Sequence, residues 1–224
     1  MNNDRQNSIS THPHSLATVP GVSGLGIGRT LPSGTLLSLF VLAALSFGCG
    51  HDPSGPTAVA VQGNTKLKVT CAAFAEGKPI AARHSAYLDN LSPSLSWSKG
   101  PAGTKSYAIL VEDPDAPVAE PFLHWLTINI SPDLLQIPEG IRDEPKPSVL
   151  QGGLQGTNGT GKIGFFGPKP DVGPQVHHYH FRVFAIDSLL KLSPGFTKQE
   201  FLSESNGHVL AEGETVGTYE KPKT

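Results

Sequence analysis

"FFGPKPDVGPQVHHYHFRVFAID", residues 165–187, begins as a proline- and glycine-rich loop and ends as a strand. Successive side chains of a strand point to opposite faces, so period two sorts its second half. His177, Tyr179, Phe181 and Val183 share one face, while His178, His180 and Arg182 share the other. The first set is apolar with a polar tip; the second is wholly polar. His177 and Tyr179 are therefore expected to point inward, and His178 and His180 to face solvent.

Working outward from this stretch, short apolar segments separated by turns recur. "LKVTCAAF" (67–74) alternates weakly, "LSPSLSW" (91–97) runs into a turn, and "SYAILVE" (106–112) has the length and apolar content of a strand. "HWLTINI" (124–130) reads as a strand with His124, Leu126, Ile128 and Ile130 on one face. "ETVGTYE" (214–220) supplies a last strand. One helix start is clear: Thr197 followed at the third position by Glu200 has the form of a capping box, with Phe201 and Leu202 as its apolar side, and the helix should end by Gly207. From Pro138 to Gly167 the chain is glycine-rich and reads as a long loop, a feature that is usually functional or disordered. Nothing gives a βαβ rhythm. The fold class expected is all-β dominated with minor helix, a single mostly antiparallel domain.

The 224 residues carry 17 Lys and Arg against 19 Asp and Glu, a net charge of −2, so no broad basic field is offered to nucleic acid. Glycine (25) and proline (20) favour turns over long helices. The first part of the chain reads differently. After a polar leader comes "LLSLFVLAALSF" (36–47), twelve uncharged residues, short of the roughly 20 that span a bilayer and matching the apolar run of a secretory signal. It leads into "LSFGCG", where Gly48-Cys49 resembles the site at which bacterial lipoproteins are cleaved and acylated. Ser46 departs from that pattern. The division expected is 1–49 leader, 50–65 flexible tether and 66–224 folded domain. Cys49 is either acylated, leaving Cys71 alone, or free to bridge to Cys71; the two readings exclude each other.

Three stretches place polar groups beside apolar strands. Asp113-Pro114-Asp115 in "EDPDAP" (112–117) is a turn by composition, since Asp caps and Pro fixes φ. His124 heads an apolar strand face. The third is the opening stretch, where His178-x-His180 has a spacing that metal-binding β-barrels use. The following Phe181, Arg182, Val183 and Phe184 include no carboxylate, and Arg182 opposes a cation, so neither metal nor cofactor is expected. No activated nucleophile is evident either: there is no G-x-S-x-G, and no cysteine lies near the histidines in sequence.

Together "DPDAP" (113–117), "HW" (124–125) and "GFFGPKPDVG…HHYHF" (164–181) resemble the phosphatidylethanolamine-binding protein family, in particular its bacterial Raf-kinase-inhibitor-like branch. "SPSLSW", "PAGTKSYAILVEDPDAP", "GTNGTGKIGFFGP" and "GHVLAEGETVGTYEK" agree, so the likeness runs from about Leu67 to Lys221. The resemblance implies a large antiparallel sheet packed on a smaller one. It also implies a small pocket for phosphate-like or carboxylate anions, including phospholipid head groups. Its walls would be Asp113, Asp115, Pro117, His124, Gly164, Gly167, Pro170, His177 and Tyr179. The family's usual Pro-Pro-x-Gly is here Pro170-Asp171-Val172-Gly173, and Phe122 stands where a tryptophan is common. Binding is expected over catalysis, in the cell envelope, with membrane association through acylated Cys49. Eukaryotic relatives inhibit kinases or proteases, which makes a protein target the alternative, with a phosphoester hydrolase a third reading, and some bacterial relatives dimerise. In such a pocket both histidines would act as donors, held cationic by the nearby carboxylates.

Overall fold

The structure, a computed structural model, describes residues 57–170 and 175–221. Its strands form two antiparallel sheets. Strands β1 (Val69–Cys71), β2 (Leu95–Trp97) and β5 (Gln136–Ile137) make a small sheet in the order β1-β2-β5. Strands β3 (Ser106–Asp113), β4 (Phe122–Ile130), β6 (Leu154–Gln155), β7 (Val176–Ile186) and β8 (Val209–Glu220) make a large one in the order β6-β4-β3-β7-β8. The fold class expected from the sequence is the one found.

Each face of the large sheet has its own core. Tyr107, Ile109 and Val111 of β3, with Tyr179, Phe181 and Val183 of β7, pack against Val69, Leu95, Trp97 and Ile137 of the small sheet. Ala108, Leu110, Leu126, Ile128 and Phe184 face the other way, onto Leu190, Phe196 and helix α1 (Lys198–Ser205). Phe201 and Leu202 are the helix residues buried there, each contributing about 1.5–3 kcal/mol by leaving water. The capping box is complete: Glu200 N–H donates to the Thr197 hydroxyl, and the Glu200 carboxylate accepts from Thr197 N–H at 2.7 Å. Lys198, in the first turn, meets the buried carboxylate of Glu112 at 2.5 Å and ties the helix to β3.

β7 alternates as its sequence predicts. His177, Tyr179, Phe181 and Val183 are buried, whereas His178 is exposed and His180 and Arg182 are half-buried. β4 does not alternate. Val111 pairs with Trp125 and Glu112 with Leu123, so His124 is an extra residue opposite one β3 position. A second irregularity between Tyr107 and Ile109 accommodates Asn129 at φ 57, a left-handed conformation that asparagine tolerates. Asn129 secures it by exchanging two hydrogen bonds with the backbone of Leu190. The single face expected for His124, Leu126, Ile128 and Ile130 is thereby broken. Leu126 and Ile128 lie in the helix-side core, Ile130 joins Trp125 on the other side, and His124 turns toward Tyr179.

Two other sequence expectations change. The folded part begins before Lys66: Val59 and Val61 pack on the helix-side core, and Gln62 N–H donates to the Val209 carbonyl. The loop from Pro138 to Gly167 carries a 3₁₀ turn (Ser148–Leu150) and β6, with Gln155 fully buried at its centre. The Gln155 side chain accepts from Trp125 Nε1 and donates to the carbonyls of Arg142 and Glu144, so one amide clamps three segments. Among the described residues no helix is long and apolar enough to cross a membrane. Residues 1–49, including Cys49, and the Asp171–Val172–Gly173 departure lie outside the described residues.

Candidate functional site

The ends of β3, β4 and β7 meet at one cavity of about 390 Å³. β3 delivers Asp113, its last residue, with both carboxylate oxygens engaged. Oδ1 accepts from Asp115 N–H at 2.8 Å and closes the Asp-Pro-Asp turn; Oδ2 accepts from His177 Nδ1 at 2.8 Å. One oxygen thus closes the turn, and the other ties the motif to His177 on the cavity wall. Asp113 and His177 are almost wholly buried, so the pair is shielded from solvent. Because a carboxylate only accepts, Nδ1 of His177 carries the hydrogen, and Nε2 is the ring's remaining polar atom on the cavity wall.

The bulge in β4 delivers His124. Its Nδ1 donates to the Phe166 carbonyl at 2.5 Å, while Phe166 N–H donates back to the His124 carbonyl at 2.9 Å. The ring stacks on Phe166 at 5.9 Å between centroids, lies tilted to Phe122 at 4.9 Å and meets Tyr179 edge-on at 5.0 Å. Burial in this aromatic surround pushes the imidazole pKa down to about 4; nearby Asp113 pulls upward and His177 downward, and burial prevails. The sequence expectation that a carboxylate neighbour would keep His124 cationic is overturned.

Tyr179, the third wall, is buried with its hydroxyl turned to the Asp113 carboxylate in a hydrogen bond of poor geometry. Burial, reinforced by the Asp113 carboxylate, raises its pKa, so the phenol keeps its proton as a donor. Pro117, Pro170, Val118, Phe122 and Phe166 complete an apolar rim with Thr160, and Lys169 brings a cation to the wall.

Of the nine residues predicted from the sequence, Asp113, Pro117, His124, Pro170, His177 and Tyr179 come together around the cavity. Asp115 does not line it: its carboxylate faces solvent and accepts from both N–H and Nδ1 of His178, pinning the turn to β7. Gly164 and Gly167 stand behind the wall. Gly164 has φ +102, and a Cβ there would strike Asp143; a Cβ on Gly167 would collide with the His84 carbonyl. They let the 164–168 segment close on its neighbours, and Gly167 N–H donates to Asn90 at 2.7 Å. Lys169 and Phe166 escaped sequence reading although they flank Gly167 and Pro170; nothing in a Pro-rich loop announces which side chains turn inward. His178 and His180 bind separate carboxylates, Asp115 and Glu214, each at 2.7 Å. Among the described residues no group of three or more His, Cys, Asp or Glu could hold a metal ion.

Comparison with known proteins accords with this fold. The family pattern described as phosphatidylethanolamine-binding protein matches residues 61–220. A UPF0098 protein of Methanothermobacter thermautotrophicus is 38% identical over 149 residues, covering 66% of this chain and 95% of its own. LppC of Mycobacterium tuberculosis, provisionally named a lipoprotein, is 32% identical over 69% of this chain and 72% of its own. Among solved structures, Escherichia coli YbcL, described as a member of the mammalian PEBP family, superposes with a TM-score of 0.65 at 30% identity. That match covers 70% of this chain and 100% of YbcL. A homologue from Chlamydia trachomatis gives 0.62 at 34% identity, covering 70% and 99%.

Proposed function

The chain belongs to the phosphatidylethanolamine-binding protein family, and from that membership we propose that it is a binding protein whose cavity captures a small phosphate-class anion. The observation carrying this reading is the cavity wall itself, where the buried Tyr179 hydroxyl, held only loosely by Asp113, stands beside His177 and Lys169. An unmade bond at a buried donor costs about 1–3 kcal/mol, and an anion oxygen would recover the part of it that the loose Asp113 contact leaves. Lys169 supplies a cation, and both oxygens of the Asp113 carboxylate are occupied by the Asp115 N–H and His177. The cavity walls are otherwise apolar, which strengthens each polar contact made inside.

Titration calorimetry with inorganic phosphate and phosphoethanolamine tests the reading. Binding should be saturable and weakened by Tyr179→Phe, which removes the hydroxyl and keeps the ring. Heat-free titrations, or a Tyr179→Phe protein that binds as tightly, would sink it.

The same reading places the domain in the cell envelope, held by acyl chains on Cys49. Support comes from the apolar run of residues 36–47 ending at Gly48-Cys49 and from the lipoprotein name of one relative. Anchoring would come from the chains themselves, each buried CH₂ contributing about 0.8 kcal/mol. Intact mass is the test: mature protein should begin at acylated Cys49, and unmodified Cys49 in a soluble form would overturn the anchor without touching the pocket.

A further inference from the structure

The ring of His124 presents the cavity with an acceptor. Its Nδ1 is committed to the Phe166 carbonyl, which can only accept, so the neutral ring carries its hydrogen there and leaves a lone pair on Nε2. Nε2 makes no hydrogen bond among the described residues, and the ring lines the cavity. The titratable groups around it are Asp113 from β3, His177 and Tyr179 from β7, and Lys169 from the loop before β7.

An anion oxygen set against that lone pair would be repelled unless a proton lies between them. Two groups could supply it. Protonating a ring whose pKa is about 4 runs against about three pH units at neutrality, roughly a thousandfold. Protonating a phosphate monoester dianion, whose second ionisation lies near ~6, runs against only about tenfold. The ligand is therefore the readier source of the proton, by about a hundredfold.

Resting on the anion-pocket reading, we propose that the site selects the singly protonated form of a phosphate monoester, whose P–O–H donates to His124 Nε2 while its other oxygens accept from Tyr179 and Lys169. A phosphate diester, the linkage within a phospholipid head group, has no such hydrogen. It meets the lone pair with a bare oxygen and is disfavoured.

Calorimetric titrations of the wild-type protein between about pH 5.5 and 8.5, in two buffers of different ionisation heat, test this with three probes. Phosphoethanolamine is the monoester, aminoethylphosphonate a similar ligand with a higher second ionisation, and glycerophosphoethanolamine the diester. Affinity for phosphoethanolamine should fall about tenfold per pH unit above its second ionisation, near ~6, with about one proton taken up per ligand bound at the alkaline end. The phosphonate's decline should begin at correspondingly higher pH. The diester should bind at least about tenfold more weakly than the monoester at the acidic end. Three results would overturn the inference: a monoester affinity flat with pH, a break at the same pH for monoester and phosphonate, or a diester that binds equally well. If none of the three probes binds at any pH, the anion-pocket reading itself fails.

Discussion

Asp113 and His177 stand 64 residues apart in the chain, yet a carboxylate oxygen of one lies 2.8 Å from an imidazole nitrogen of the other, each side chain about 4% exposed. Two residues further along the first segment and one along the second, Asp115 and His178 form another pair at 2.7 Å, with side chains 42% and 51% exposed. Similar chemistry sits in two dielectrics, and the energetic consequences differ. Asp113→Ala should cost about 3 kcal/mol in urea denaturation, the scale for stripping one partner from a buried pair. Asp115→Ala should cost no more than about 1 kcal/mol for its exposed ion pair. Equal losses would mean that burial does not set the worth of these pairs.

His177→Ala should weaken binding of phosphate or phosphoethanolamine by about 1.5–3 kcal/mol, the range for a hydrogen bond involving charge, because it strips the Nδ1 donor from Asp113 and leaves that carboxylate bare beside the anion. His178→Ala, on the opposite face of β7, should leave binding nearly unchanged. Calorimetry on the two single variants decides it, and a loss confined to residue 178 would place the ligand on the wrong side of the sheet.

Neutral His124 makes stability depend on pH in a definite direction. Its folded pKa of about 4 lies below the unfolded value of 6.5, so between those values the unfolded chain binds more protons. The contribution is complete above pH 6.5 and is lost progressively as pH falls toward 4, amounting to about 3 kcal/mol. Nitrogen-15 NMR of the ring should show the Nδ1–H tautomer persisting at pH 5. A titration midpoint close to 6.5 would contradict the burial argument.

Gly167→Ala should destabilise the domain more than Gly77→Ala. Gly77 has φ +68 with open space around it, so a methyl there incurs only the left-handed penalty of about 1–2 kcal/mol. At Gly167 the added carbon meets the His84 carbonyl and the backbone of Ser85 and Ala86, which must move. Thermal denaturation of both variants tests this, and phosphate titration of Gly167→Ala should show weaker binding because Phe166 and Lys169 move with the segment.

How much of this was legible in the sequence depends on whether a strand keeps strict alternation. From His177 to Val183 β7 runs in unbroken register against β8, and period two placed its side chains correctly. β4 carries two irregularities within nine residues, and no residue type near His124 signals the first of them. The same alternation therefore misplaced Ile130 and left His124 on the wrong face. The helix was readable because a capping box is local. The roles of Gly164 and Gly167 were not, because a collision with Asp143 or His84 involves residues about 20 and 80 positions away in the chain.

The stretch before β1 has one more effect. Val61, Lys66 and Pro79 form parallel bridges to Val209, Glu212 and Thr218, running along the outer side of β8. At the opposite border β6 offers only Leu154–Gln155. Among the described residues, neither margin of the five-stranded sheet leaves a long row of unsatisfied backbone groups for a sixth strand. Those margins give two copies of this domain little edge by which to continue the sheet from one molecule to the next. Self-association through side-chain surfaces instead would be open to tuning by single substitutions that leave the backbone ladder intact.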